Sequence, residues 1–415
     1  MADVNVAGQL DEIEKRIMAG LKDFQRATVN RIDELYRAGQ MRVLVSDEVG
    51  LGKTLIARGT IAKLAKLQKE SGDKLVKVVY VCSNASIAEQ NLNKLRITSE
   101  LKTESTSSSR LSMQHLNIFR QENDTELLNR YIQLIPLTPD TSFRMTSGAG
   151  IVSERALMYA ILRRMPELSM YRKALEVAMA DKAVGQWDGW ARDWYETQVK
   201  ECDKTSGGKY LAYMLDKLSV ELNMRADEDN TVLDMIISMC KQIRSNRYKQ
   251  QNNNAVIGKL RVIFAKISLD KLEPDLVIMD EFQRFKYLIN SDSDTETGML
   301  ANKFFNSSKV RMLLLSATPY KMYSTLEEID ETQVDEHYSE FFDVMNFLNI
   351  SESEKAEFKT VWSDYSVKLK ELSDGDTTVL SAKNAAEDAM YQHICRTERI
   401  SASENADIID DKDVA

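Results

Sequence analysis

The chain is poor in proline, histidine and cysteine, with five, three and four of each among 415 residues. Cys82, Cys202, Cys240 and Cys395 are widely scattered and form no CxxC pair. They also make no ligand cluster with His115, His337 and His393. This spacing argues against a disulfide framework and a zinc site, and for reduced thiols. No apolar run approaches the roughly 18 residues of a membrane-crossing helix. The first residues, "MADVNVAGQLDEIEKRIMAG", lack the apolar core of a signal peptide. The expectation is a cytoplasmic protein with no membrane partner. Positive charge is also in deficit, with a formal net charge of −9. That disfavours coating nucleic acid by bulk charge. It leaves open a local groove built from backbone amides, hydroxyls and a few basic side chains.

Hydrophobic residues make up 43% of the chain, enough for a sizeable core. The length suggests two or three domains, or one large domain with an insertion. Five short runs read as buried strands: "RVLVS" (42–46), "KVVYVC" (77–82), "YIQLIPL" (131–137), "DLVIMD" (275–280) and "RMLLLS" (311–316). Helical stretches separate them, which predicts an α/β fold with a parallel sheet flanked by helices. One charged helix fits the N-terminal stretch. Between 151 and 268 only helical patterns occur, which predicts a large all-helical insertion. There Trp187, Trp190 and Trp194 recur at helical spacing in "QWDGWARDW", a stripe expected in the core. Ser153 is a candidate cap for the next helix, and "DKTSGGKY" a turn. Helices are expected again at 352–371 and 381–395. The partition expected is 1–40, 41–150, 151–268, 269–325 and 326–415.

The chemistry concentrates in three motifs. "SDEVGLGKT" (46–54) follows a strand and opens a helix, the context a phosphate-binding loop requires. Glycines let backbone N–H groups curl around an oxyanion, and the helix N-terminus adds a positive dipole end. The loop is Gly50, Leu51, Gly52, Lys53, Thr54 and Leu55. Lys53 would reach the β- and γ-phosphates of ATP, and Thr54 would offer a hydroxyl to Mg²⁺. Second, "DEFQ" puts Asp280 and Glu281 at the end of an apolar strand, where parallel sheets carry their ligand chemistry. Asp280 there can hold Mg²⁺ through water, and Glu281 can orient and deprotonate an attacking water. Third, "SATP" follows the fifth strand. Ser316, Ala317 and Thr318 can hydrogen-bond the acidic pair and respond to its state.

Together "DEVGLGKT", "DEFQ" and "SATP" resemble the superfamily 2 helicases and translocases, and "DEVGLGKT" looks closest to their Swi/Snf-like branch. The resemblance covers roughly residues 20–145 and 265–325. It implies a RecA-like P-loop lobe that hydrolyses ATP with Mg²⁺ to move on or unwind nucleic acid, double-stranded DNA being favoured. A bacterial restriction or defence setting is an analogy. Asp47 replaces the first glycine of the usual loop, as is common in that family. Gln283 stands where the acidic box more often carries His, and it can still bridge to the serine–threonine motif. Upstream, "LKDFQRATV" resembles the adenine-reading segment. Gln25 is either an adenine contact or a glutamine on an exposed helix.

The candidate nucleic-acid contacts are Ser83 and Asn84 after the second strand, and Thr138, Thr141 and Ser142 after the third. Ser83 and Asn84 suit a backbone phosphate at a helix N-terminus or an ordinary helix cap equally well. Beyond "SATP" no second alternation of strands and helices is legible, and "ICRTERI" (394–400) reads as a helix end. Arg396 and Arg399 there make poor arginine fingers. The expectation is therefore a first motor lobe that works with a second RecA-like lobe or subunit in trans. The alternative is an inactive lobe acting as a nucleotide-binding or protein-interaction scaffold.

Overall fold

A computed structural model of the chain describes residues 2–73, 75–102, 110–142, 149–225, 230–245, 250–285, 296–305, 310–317, 341–370 and 378–396. Its first helices are α1 (Ala2–Ala19), α2 (Asp23–Arg37), α3 (Lys53–Glu70), α4 (Ala85–Leu95), α5 (Gln114–Glu122), α6 (Leu127–Tyr131) and α7 (Pro139–Ser142). Then come α8 (Val152–Leu162), α9 (Arg172–Ala180), α10 (Val184–Gln186), α11 (Arg192–Thr205), α12 (Lys209–Leu222), α13 (Val232–Arg244) and α14 (Gln250–Leu272). The last are α15 (Glu296–Phe305), α16 (Glu352–Lys370) and α17 (Thr378–Tyr391), with an unlabelled helical run at 341–348.

All the strands are parallel: β1 (Arg42–Val45), β2 (Val76–Val81), β3 (Ile132–Leu137), β4 (Leu276–Asp280), β5 (Arg311–Leu315) and β6 (Ile394–Cys395). They lie in the order β3-β2-β4-β5-β1-β6. Flanking helices complete the expected RecA-like α/β architecture. Five strands coincide with the apolar runs read from the sequence. The sixth corrects it, because "IC" in "ICRTERI" is a strand beside β1 and not a helix end, with Leu44 N donating to His393 O at 2.8 Å. Two residues are too few to show a period, so only pairing reveals it.

The sheet is buried on both faces, which explains why its strands read as largely apolar runs, interrupted only at Lys77 and Gln133 inside β2 and β3. Val43, Val45, Val78, Tyr80, Ile278, Leu313 and Leu315 pack on one side with α1, α2, α3 and α4. Leu44, Val79, Val81, Val277, Met279, Met312 and Leu314 pack on the other with the end of α14, α15, the 341–348 run and α16. The N-terminal stretch is two helices rather than one. It breaks at Gly20, and α2 restarts with the Gln25 side chain accepting from Lys22 N.

Helices α8–α13 build a separate apolar cluster with α5 and α14. In α14, Ile257, Leu260 and Phe264 face this cluster, while Ala265, Leu269 and Leu272 face the sheet. The tryptophan stripe is core only in part: Trp187 is buried at 1% exposure, whereas Trp190 and Trp194 are 46% and 56% exposed. A π-helical turn over Trp187–Ala191 rotates the later rings away from the face that Trp187 buries. Ser153 lies inside α8, whose cap position is Ile151. The expected turn is present where α11 meets α12, through Ser206, Gly207 and Gly208.

His115 on α5 is wholly buried at the junction with α12 and α14. Its Nδ1 lies 3.1 Å from the Tyr210 hydroxyl, and its backbone N–H donates to Ser268 Oγ at 3.2 Å. Burial pushes its pKa from 6.5 down to about 3. The unfolded chain therefore binds a proton that the folded chain refuses. The neutral ring's contribution is complete above pH 6.5 and is lost as pH falls toward 3. Urea unfolding is expected to show stability falling across that window. Replacing His115 with Phe should flatten the dependence by up to about 1.4 kcal/mol per pH unit. An unchanged slope in the variant would refute the assignment.

Candidate active site

Strand register brings the three motifs to one edge. Leu315 pairs with Val45 on one side and with Asp280 on the other. The 46–52 loop, Ser316 and the acidic box thus leave the sheet at the same level. Met279 pairs with Val81, so the Cys82–Asn84 turn emerges beside them. Ser316 N donates to Val45 O at 3.1 Å, which carries the ladder one residue beyond β5.

In the loop, Gly50 and Gly52 have φ of 87° and 81°, the left-handed region where side chains strain the backbone. Gly52 is also the cap residue of α3. A Cβ there would sit 2.5 Å from Gln25 Nε2, whereas a Cβ on Gly50 would meet nothing within 4 Å. Gln25 is buried, and so is not the exposed helical glutamine offered as an alternative. Its Oε1 accepts from Lys22 N at 3.1 Å, and its Nε2 donates to Leu51 O at 2.9 Å. The amide ties the start of α2 to the loop. Lys53 Nζ donates to Asp47 O at 2.8 Å and Glu48 O at 3.1 Å, so the ammonium lies under the loop. Leu51 and Thr54 are half-buried, Leu55 is exposed and Asp47 is fully buried. Partial burial pulls the Lys53 pKa below its ordinary value, and the charges of Asp47, Asp280 and Glu281 oppose that shift.

Asp280 ends β4 half-buried. Its Oδ2 accepts from the Tyr80 hydroxyl at 2.5 Å and from Asn91 Nδ2 at 3.2 Å, and Asn91 also donates to the Tyr80 oxygen at 2.8 Å. Glu281 follows at φ 54°, a conformation costly for a residue with a side chain and concentrated at functional sites. Its carboxylate pairs with Arg284 Nε at 2.7 Å, and Arg284 Nη1 reaches Ser83 Oγ at 3.5 Å. Ser316 Oγ donates to Gln283 Oε1 at 2.9 Å, bringing the box and the serine motif into contact. Ala317 is half-buried beside Ser316, and Thr318 lies outside the described residues.

Sequence reasoning missed Tyr80, Asn91 and Arg284. A tyrosine near the end of a buried, valine-rich strand was a usable signal, because its hydroxyl needs a partner. Asn91 and Arg284 carry no comparable mark.

The nucleic-acid candidates divide. Asn84 is the cap of α4, accepting from Ser86 N at 2.8 Å. Ser83 is half-buried next to Arg284. Thr138 and Ser142 are buried, at 2% and 0% exposure. Thr141 lies on α7, and its side chain is outside the described set. Arg396 follows β6 and lines, with Phe24, Thr28, Arg31 and Tyr391, a cavity of about 330 Å³, and Arg399 is not described.

The donor set suits a hard cation, because Thr54 and Asp280 both offer oxygen. Among the described residues no group of three or more His, Cys, Asp or Glu could hold a metal by itself. Magnesium bound beside phosphates commonly takes only one or two protein oxygens.

The two loop glycines separate strain from crowding. Alanine at either position carries the left-handed penalty of about 1–2 kcal/mol. Only Gly52→Ala also displaces the Gln25 amide. Urea unfolding is expected to rank Gly52→Ala below Gly50→Ala in stability, and equal losses would contradict this geometry.

Among the described residues no helix is long and apolar enough to cross a membrane. No curated protein and no solved structure matches the chain. Residues 19–135, which run from α2 through β1, the loop, α3, β2 and α4 to α6 and take in the first four residues of β3, match the family model of the type III restriction enzyme, res subunit, a helicase-like ATPase domain of superfamily 2.

Proposed function

We propose that this chain is an ATP-binding motor lobe of the superfamily 2 helicase and translocase type. It couples hydrolysis of ATP, with Mg²⁺, to movement on or unwinding of double-stranded DNA in a restriction setting. A second RecA-like lobe or subunit would act with it. The observation that carries the reading is the convergence at one sheet edge of Lys53, Asp280 and Glu281. Lys53 feels the charge of both acids and of Asp47, and Ser316 bonds Gln283 directly. The family match over residues 19–135 supports the ATPase class and the restriction setting. In this reading 41–150 and 269–325 form the lobe, 151–268 is its helical insertion, and 1–40 and 326–415 flank it.

Each residue has a defined task. Backbone N–H groups of Gly50 to Thr54 cradle the phosphates at the N-terminus of α3. Lys53 exchanges the carbonyls of Asp47 and Glu48 for phosphate oxygens. Gln25 keeps a second N–H and a second lone pair free for the N7 and N6 positions of adenine. Thr54 and Asp280 would hold the magnesium ion, whose charge offsets that of the phosphates. Glu281 takes the proton of the attacking water once its carboxylate leaves Arg284. Gln283 and Ser316 pass a change at the acidic box along to β5. Ser83, Arg284 and the cap of α4 form the local nucleic-acid contact that a chain of net charge −9 needs.

Titration with a fluorescent ATP analogue in the presence of Mg²⁺ tests the site. Lys53→Ala is expected to weaken binding by about tenfold or more, the loss of a charge-assisted contact. Glu281→Gln should preserve binding and remove turnover, measured as phosphate release with and without duplex DNA. Unchanged affinity in Lys53→Ala would overturn the proposal.

A further inference from the structure

We infer that Tyr80 and Asn91 are positioning residues for the metal-binding carboxylate of Asp280, and that through them α4 controls how that carboxylate is presented. The inference rests on the reading of Asp280 as the Mg²⁺ ligand. Tyr80, Asn91 and Asp280 form a closed triangle of hydrogen bonds: Tyr80 to Asp280 at 2.5 Å, Asn91 to Asp280 at 3.2 Å and Asn91 to Tyr80 at 2.8 Å. Both donors act on the same oxygen, Oδ2, which leaves Oδ1 to face a ligand. Tyr80 is buried at 2% exposure and belongs to the sheet core, so its hydroxyl has a fixed origin.

Partners of this kind set the orientation of a metal ligand, and their removal costs metal affinity although they never touch the ion. Asn91 adds a connection across the fold. It stands on α4, whose first turn is capped by Asn84 and whose preceding residue, Ser83, meets Arg284. A phosphate drawn to the Ser83–Asn84 turn would act on the helix that holds Asn91. Any displacement of α4 then changes the grip on Oδ2, so the candidate nucleic-acid contact and the metal ligand share one rigid element.

The test measures affinity for a fluorescent ATP analogue by the full chain, in EDTA and over a Mg²⁺ titration. It compares the wild type with Tyr80→Phe, which removes one oxygen, and Asn91→Ala. In both variants the affinity in EDTA is expected to stay within about twofold of wild type, because the phosphate loop is untouched. The gain in affinity brought by Mg²⁺ is expected to fall by about tenfold or more, with the half-saturating Mg²⁺ concentration raised to match. Equal loss in EDTA and in Mg²⁺ would show a merely structural role and overturn the inference, as would an undiminished Mg²⁺ gain in both variants. If the wild type itself gains nothing from Mg²⁺, the metal-ligand reading of Asp280 fails, and this inference fails with it.

Discussion

The pairing of Leu315 with Val45 on one side and Asp280 on the other is the constraint from which the site follows. The site residues stand at or just beyond the ends of their strands, and parallel pairing makes those ends level. A slip of one residue would turn every side chain of the slipped strand to the opposite face. Such a slip is costly here because both faces are buried: Leu313 and Leu315 belong to one apolar layer, Met312 and Leu314 to the other. Hydrophobic packing far from the chemistry therefore holds the loop, the acidic box and Ser316 in register.

Charge at that edge is arranged for exchange rather than for permanence. The Lys53 ammonium rests on two backbone carbonyls and answers to three carboxylates. Glu281 is held by an exposed ion pair with Arg284, at 53% and 59% side-chain exposure. Pairs so exposed contribute little to stability, so they are easily traded for a ligand. Asp280 differs, because its Oδ2 is gripped by a buried tyrosine. The left-handed backbone at Glu281 adds local strain between the fixed acid and the releasable one.

The motifs themselves were legible because each is local. Glycines with positive φ, a lysine opening a helix and two acids ending a strand are all set by neighbours in sequence. The five longer strands were legible because a strand buried on both faces is apolar at most of its positions. β6 was not legible, since two residues carry no period. The exposed rings of Trp190 and Trp194 were misread, since helical spacing does not reveal a π-helical turn.

By itself the sequence determined the order and type of the elements and the identity of the reactive groups, since these depend on periodicity and on contacts within a few residues. Only the tertiary structure decided which groups meet. It joined Tyr80 and Asn91 to Asp280, 200 and 189 positions away, and Ser316 to Gln283, 33 away. It also joined Gln25 to Leu51 and Arg284 to Ser83. Those pairings arise from strand order and register, which are properties of the packed sheet and are written in no single segment of the chain.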